Sequence, residues 1–516
     1  MPGVDPYFGP AFRDQPILAV DKVCFVGDPV IAVAAKDRRT AEDALQLVEV
    51  DYEPLPAILD LLEAVKPESP LVHEQHRPAK AFADLAHVKA GQKSNICYQF
   101  KLRRGDVDKA FAAADRVFED TFSSPPAQHL PMEPHVTLVY LDENQRINVW
   151  TASQTPSYVR TELSNTFGIP MNRIRVRIPY LGGGYGAKLY AKLEPLVTAL
   201  ALITKKPVRY ALTREEEFLT ITKHKVITKI KTAVKNGVIT ARKCEVFWDT
   251  GAYAEIGPRV VHKSGYTSAG PYRIPNVWID SYCVYTNHVP AGAFRGFGVP
   301  QVIWAYDSQM DIVARAIGAD PVEFRLRYLT ADQRATDVLK AVANKTQWQK
   351  RSSPSASSSG TTATGRGIAL TRRSGGYAAA VADVEVNKST GKVTVQRITL
   401  AHDCGLIVNP DGVKNQVEGN IIQGVSRALL EEVSFDASGV TSLDWSSYPI
   451  LKFPEVPNLD IVLINRQEVA PLGAGELATV PVPAAIANAI FNATGVRLRE
   501  VPFTPKRMLA GLQKTN

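Results

Sequence analysis

Three glycine-rich stretches and one carboxylate are the residues of this 516-residue chain whose types and spacing could do chemistry. The first, Leu181–Lys188, reads L-G-G-G-Y-G-A-K. Glycines at Gly182, Gly183, Gly184 and Gly186 leave a backbone with almost no side-chain cover, whose N–H groups can turn toward one spot. That makes the stretch a candidate cradle for an anion such as phosphate. The alternative is a tight turn packed beneath another strand. The second stretch is Ala293-Phe294-Arg295-Gly296-Phe297-Gly298. The third, Leu472-Gly473-Ala474-Gly475-Glu476, runs into an apolar helical pattern from Pro481 to Thr494 that Gly495 stops. Glu476 is a proton acceptor beside a ligand-binding backbone or a solvated turn residue and helix cap.

Two nucleotide motifs fail at the first stretch. Gly182, Gly184 and Ala187 satisfy the spacing G-x-G-x-x-G/A, but no carboxylate ends a strand about twenty residues later to hold a ribose. The P-loop fails because Ala187 separates Gly186 from Lys188 and no Ser or Thr follows to hold magnesium.

The elements that must position these residues are legible in the periodicity. Arg173–Ile178 alternates and predicts a half-buried strand leading into the first glycine stretch, with a helix over 195–204 after it. Val136–Leu141 and Ile147–Thr151 predict a hairpin that delivers Ala152-Ser153-Gln154 to a strand end. Val226–Val234 and Val238–Trp248 predict another around Asn236-Gly237, a strong two-residue turn signal. A βαβ-like unit is expected near the start, with strands over 29–35 and 48–52 about a helix over 39–46. Residues 105–117 predict a helix with Asp106 as N-cap. Residues 351–365, rich in Ser, Thr and Gly, read as a flexible linker, and beyond it strands over 384–386 and 393–400 are expected around Gly391. Val413, Val417, Ile421, Val425 and Leu429 mark a helix with one buried stripe. Gly419 and Gly424 inside it need a close neighbour, which is a ligand or a crossing helix.

Composition sets the frame. Apolar content of 45% with 22% charge is that of a well-cored globular protein, and the length calls for several domains. The formal net charge of +8 comes from scattered basic residues with no nucleic-acid module, so no nucleic-acid partner is expected. No run of apolar residues long enough to span a membrane is evident, and the start carries no signal-peptide pattern, which places the expected location in the cytoplasm, with export through a partner or a missing leader as the alternative. Cys24, Cys97, Cys244, Cys283 and Cys404 lie far apart and build neither a zinc ribbon nor an iron–sulfur cluster.

Together the motifs resemble one family, the large molybdenum-binding subunits of the xanthine dehydrogenase and aldehyde oxidase family. G-G-G-Y-G-A-K is similar to its G-G-G-F-G-G-K, A-F-R-G-F-G-V-P-Q to its A-F-R-G-F-G-G-P-Q, and G-A-G-E to its G-V-G-E. Ser153-Gln154 falls at its glutamine signal, and Asn409-Pro410, Val417-Glu418-Gly419 and Gln423-Gly424 match its N-P…E-G…Q-G pattern. Val26–Val30 and Val50–Pro56 resemble its hammerhead domain. The resemblance implies an α+β chain: a partial α/β hammerhead domain in residues 1–90, a first molybdopterin-binding domain in 91–334, a linker in 335–365 and a second molybdopterin-binding domain in 366–516.

It also implies a molybdopterin cofactor, in the cytosine dinucleotide form, whose own sulfurs hold the molybdenum with no direct protein ligand. Gln154, Gly183, Gly184, Tyr185, Gly186, Arg295, Gln423, Gly424, Gly473 and Gly475 would contact that cofactor, Phe297 and Leu189 would line the substrate pocket, and Glu476 would be the catalytic base. The implied reaction hydroxylates an aldehyde or N-heterocyclic aromatic with oxygen derived from water. With no cluster motif and no flavin site in the sequence, electrons are expected to leave through a small 2Fe–2S subunit, with an FAD subunit or cytochrome beyond it. Some residues depart from the family. Gly296 stands where carbon monoxide dehydrogenases carry a cysteine, which argues against CO oxidation; Leu189 stands where purine oxidisers carry a glutamate, which argues against xanthine; Leu477 replaces a proline. The chain begins inside the hammerhead region and lacks a glycine-glutamine-glycine loop of longer members, so a catalytically inactive, truncated scaffold subunit is the alternative expectation.

Overall fold

The computed structural model describes residues 4–79, 93–350, 360–436 and 438–514. Its largest core is shared by two β-sheets with helices between them.

The first sheet has Ile96–Arg104, Asn276–Tyr285, Val238–Gly251, Lys225–Lys235 and Arg116–Ser124 in spatial order. Its central hairpin turns at Asn236 and Gly237, both with positive φ (50° and 72°), the combination a tight two-residue turn between twisted strands requires. Asp106 does cap a helix, accepting from Lys109 N–H at 3.0 Å, but that helix covers only Val107–Ala112. The expected 105–117 helix stops early because Arg116–Ser124 is drawn into the sheet beside Lys225–Lys235.

A separate four-stranded sheet carries the first site loop. Ile147–Thr151 pairs antiparallel with Val136–Leu141 in the expected hairpin and parallel with Ile174–Arg177. Gln154 and the first glycine loop therefore leave neighbouring parallel strands at the same end, the usual place for a ligand in such a sheet. Pro156–Phe167 and Glu194–Thr204 cover this sheet through Val159, Leu163, Val197 and Ala201.

In the second half, Thr362–Arg373, Gly376–Asn387, Val393–Asp403 and Asn458–Leu463 form a sheet on which the helix Val482–Thr494 lies. Helix and strand backbones come close at Gly365, where a Cβ would fall 2.7 Å from the Ala493 Cβ. The stretch Leu477–Thr494 has the length and mean hydropathy (1.3) of a membrane span, and 89% of it is buried inside the protein. The two halves are tied by Asp307 on the helix Val299–Ala316: it pairs with the buried Arg325 at 3.1 Å and accepts from Leu370 N–H of the second sheet at 3.2 Å.

Two segments differ from the sequence expectation. In the first module the helix forms, at Arg38–Leu45, but 29–35 and 48–52 are not strands. A strand needs a partner to satisfy its backbone, and none of the described residues supplies one there, so Ile31, Val50 and Tyr52 stay exposed. The expected linker 335–365 begins with the helix Gln333–Lys345, capped by Asp332 and burying Ala335, Val338, Leu339 and Val342, and ends with a strand from Thr362. Residues 351–359 lie outside the described part, as do 80–90 of the first module.

Candidate functional site

The first loop is pinned from below and open above. Lys188, its side chain fully buried, reaches Glu133 Oε2 at 2.8 Å and the Glu133 carbonyl at 2.7 Å, while the same Oε2 accepts from Gly182 N–H at 2.8 Å. Burying an ammonium is tolerable only with such a partner, so Glu133 fixes where the loop begins. Gln154 is held by its backbone N–H to Lys188 O (2.7 Å), and its Oε1 accepts from Gly186 N–H at 3.1 Å. Gly186 itself, at φ +115°, lies against the backbone of Ala293 and Phe294, where no side chain fits. Leu181, Tyr185 and the Gln154 side chain remain exposed.

The second loop is laid on the first. Arg295 N–H donates to Tyr185 O at 2.8 Å, and the Ala293 carbonyl accepts from His129 Nε2 at 2.7 Å. Burial pulls His129 down to about 3, so its neutral ring serves as a donor there. The Arg295 guanidinium then ties in the rest: Nε donates to Gly475 O (2.6 Å), Nη1 to Gln423 Oε1 (3.0 Å) and Nη2 to Gln416 Oε1 (2.7 Å). Burial lowers its pKa, with Tyr185 and Glu476 acting the other way. Behind it Arg427, pulled down to about 10 by burial and partly restored by Glu431, donates to Arg295 O at 3.2 Å and to Thr479 Oγ1 at 2.5 Å.

The third loop brings the carboxylate. Leu472 N–H donates to the carbonyl of the buried Cys404 (2.8 Å), and Asn420 Nδ2 donates to Gly475 O (3.1 Å). Glu476 occupies the residue before the short 3₁₀ helix Leu477–Thr479 yet makes no capping bond. Its Oε1 instead accepts from Gly296 N–H at 3.2 Å, and Oε2 forms an ion pair with Arg373 Nη2 at 2.5 Å. Arg373, from the end of the strand Thr362–Arg373, also donates from Nε to Gly296 O at 3.1 Å.

The structure thus brings Gln154, Gly183–Gly186, Arg295, Gly473, Gly475 and Glu476 into one cluster of loops, joined by Gln423 from the helix Pro410–Leu429. Gly424 serves a different purpose: a Cβ there would lie 2.9 Å from Val482 Cβ, so its missing side chain lets the helix Pro410–Leu429 pack on the start of Val482–Thr494, as a crossing helix would require. Leu189 and Phe297 are half-buried against the main core. Glu133, Arg373, Asn420 and Arg427 escaped the sequence reading. For Arg373 the available signal was a pair of arginines ahead of Ser374-Gly375-Gly376, a hairpin tip that reads as an ordinary solvated turn.

Several donors in this cluster face no acceptor. Among the described residues the N–H groups of Gly183, Gly184 and Tyr185, and of Gly473, Ala474 and Gly475, have no partner within the chain. A Cβ at Gly473 would meet nothing within 4 Å, so the space beside that backbone is open. Rows of unpaired N–H groups beside open space suit an extended anionic ligand held by main-chain donors, as a pterin with its phosphates would be. No group of three His, Cys, Asp or Glu side chains among the described residues is set to hold a metal ion. Two cavities, of about 390 and 480 Å³, lie away from these loops, one around Asp249 and His288 and the other around Asp14 and His73. We place the candidate site at the loops and not in either cavity, because the loops combine unpaired donors with a carboxylate.

Residues 88–329 and 308–457 each match the molybdopterin cofactor-binding domain, and residues 3–56 match the a/b hammerhead domain of aldehyde oxidase and xanthine dehydrogenase. The chain is 35% identical over 452 residues to a nicotinate dehydrogenase subunit of Pseudomonas putida, covering 83% of this chain and 38% of that one. It is 36% identical over 321 residues to the nicotinate dehydrogenase large molybdopterin subunit of Eubacterium barkeri, covering 62% and 71%. It therefore spans well under half the length of the first relative. Among solved structures, quinoline 2-oxidoreductase from Pseudomonas putida 86 shares the fold with a TM-score of 0.84 at 21% identity, covering 97% of this chain and 87% of that one. Aldehyde oxidoreductase from Desulfovibrio gigas does so with the same score and identity, covering 99% and 74%.

Proposed function

We propose a hydroxylase on one premise: the chain belongs to the xanthine dehydrogenase and aldehyde oxidase family, as a molybdenum-binding large subunit. In this reading it oxidises an N-heterocyclic aromatic or an aldehyde with oxygen derived from water, and passes electrons to a 2Fe–2S partner subunit. The cofactor is molybdopterin in its cytosine dinucleotide form. Nicotinate in the names of two similar proteins supports the heterocycle over the aldehyde. A cytoplasmic location belongs to the same proposal.

The observation that carries it is Glu476 set at the edge of the unpaired N–H groups, with Gly296 N–H and Arg373 fixing its two oxygens. When bound, the molybdopterin group would supply the two-electron redox chemistry and the oxygen that is transferred. This chain supplies the rest. The N–H groups of Gly183–Tyr185 and Gly473–Gly475 would hold the cofactor, and the exposed Gln154 side chain would orient it. Arg295 keeps the loops at a fixed spacing. Glu476 is half-exposed and receives the proton released as the substrate carbon is oxygenated, a role that contributes roughly 10² to 10⁴ in rate. Gly296 supports the argument against a thiol at this place: its φ is +106° and a Cβ would lie 2.7 Å from Pro300 Cδ.

Anaerobic addition of nicotinate, isoquinoline or benzaldehyde to the purified complex is expected to reduce the partner's cluster, with label from isotopic water appearing in the product. A complex that holds molybdenum but is reduced by no heterocycle and no aldehyde contradicts the proposal.

A further inference from the structure

Three arginines converge on the loops, and their donors are not equally engaged. Arg295 places Nε, Nη1 and Nη2 on Gly475 O, Gln423 Oε1 and Gln416 Oε1. Arg427 places its own on Gln423 O, Arg295 O and Thr479 Oγ1. In both guanidiniums each of the three nitrogens is engaged by the fold. Arg373 is different: Nε reaches Gly296 O, Nη2 forms an ion pair with Glu476, and Nη1 has no acceptor among the described residues. Its side chain is 17% exposed and that of Glu476 38%, so the pair is partly open to solvent and not sealed beneath the loops.

The charges at this spot do not balance. Among the described residues neither Arg295 nor Arg427 has a carboxylate within ion-pair distance, and Glu476 is the one carboxylate on Arg373. Positive charge therefore exceeds negative charge around the group assigned the proton transfer. An anionic cofactor on the neighbouring N–H groups would answer part of that excess, but a neutral heterocycle would answer none of it. A substrate carrying a carboxylate would, and the planar fork of a guanidinium with a spare donor matches a carboxylate's two oxygens.

We propose that Arg373 anchors a carboxylate on the substrate, which makes the preferred substrate class the N-heterocyclic carboxylic acids and sets the reacting carbon beside Glu476. The assignment rests on the hydroxylase reading for its chemistry and on the Arg373 geometry for its specificity.

Nicotinate and nicotinamide share a ring and differ in the charge of one substituent, so they test the anchor directly. Their binding to the purified complex is measured by calorimetry, and their turnover by steady-state kinetics, for the parent, Arg373→Gln and Arg373→Lys at equal molybdenum content. The parent is expected to bind nicotinate roughly 10- to 100-fold more tightly than nicotinamide, the range of one charge-assisted contact. Arg373→Gln frees Glu476 for both ligands and should slow both alike, but it should erase the binding preference by weakening nicotinate alone, and Arg373→Lys should restore part of that preference. Equal affinities in the parent, or equal losses of affinity for both ligands in Arg373→Gln, overturn the anchor and leave Arg373 as a brace for Glu476. Turnover of nicotinamide as good as that of nicotinate would remove the anchor while keeping the hydroxylase. Charge-selective binding in a molybdenum-loaded complex that no heterocycle and no aldehyde reduces would keep the anchor and remove the hydroxylase.

Discussion

Replacing Glu476 by glutamine should lower turnover by roughly two orders of magnitude or more and leave cofactor content and fold unchanged. Glutamine has the same size and can still accept from Gly296 N–H, now at 3.2 Å from Oε1, but it cannot take a proton near neutral pH. The stability effect is expected to stay below about 1 kcal/mol, because the pair with Arg373 is more than a third exposed on the glutamate side and such pairs contribute little. The alternative role, a capping carboxylate, is removed by the structure, since Glu476 makes no capping bond to the turn that follows it. Rates of substrate reduction under anaerobic conditions, compared at equal molybdenum content, measure the effect. Unaltered reduction in Glu476→Gln would take this residue out of the mechanism.

The second large effect is expected at Gly184. On sequence alone, a bound cofactor is what a side chain there would block. The structure gives a nearer obstacle: a Cβ would lie 2.9 Å from Gln154 Cδ and 3.2 Å from its Cγ. The backbone itself is not in the left-handed region at Gly184, so the strain of a substitution falls on Gln154 and not on the loop's own conformation. Gly184→Val should push Gln154 away, break its bond to Gly186 N–H and unseat the first loop from the second. The cost in stability is that of a local overpacking, about 1–3 kcal/mol, within reach of a protein with so large a core. The cost in cofactor retention should be far greater, with molybdenum content falling at least about tenfold in protein that still folds. Metal analysis beside a thermal melt checks both; full metal content in the variant would make the loop a structural turn.

Much of this site could be read from the chain because its parts are local. Asn236-Gly237 declares its hairpin through the positive φ that both residues need, and Val417, Ile421 and Val425 declare their helix through spacing. The glycine loops declare themselves because only a close approach justifies so many residues without side chains, and Gly186 against Ala293 shows such an approach within the protein. The rest depends on distant partners. Arg373 meets Glu476 across more than a hundred residues, and nothing near either one announces the pair. Asn420 and Arg427 lie on the helical stripe's polar side, which in sequence is indistinguishable from a solvated face. Helix 333–345 was obscured by the low-complexity run after it, although Ala335, Val338, Leu339 and Val342 do follow helical spacing. In the first module the reverse holds: 29–35 has the composition of a strand and lacks the partner that would make it one.

The central claim is that these loops hold a molybdopterin cofactor, and its most direct test is chemical analysis of the native complex. Molybdenum should be present near one atom per chain, and acid treatment should release a cytidine nucleotide in the same amount. An intact, folded complex yielding neither metal nor nucleotide would contradict the account.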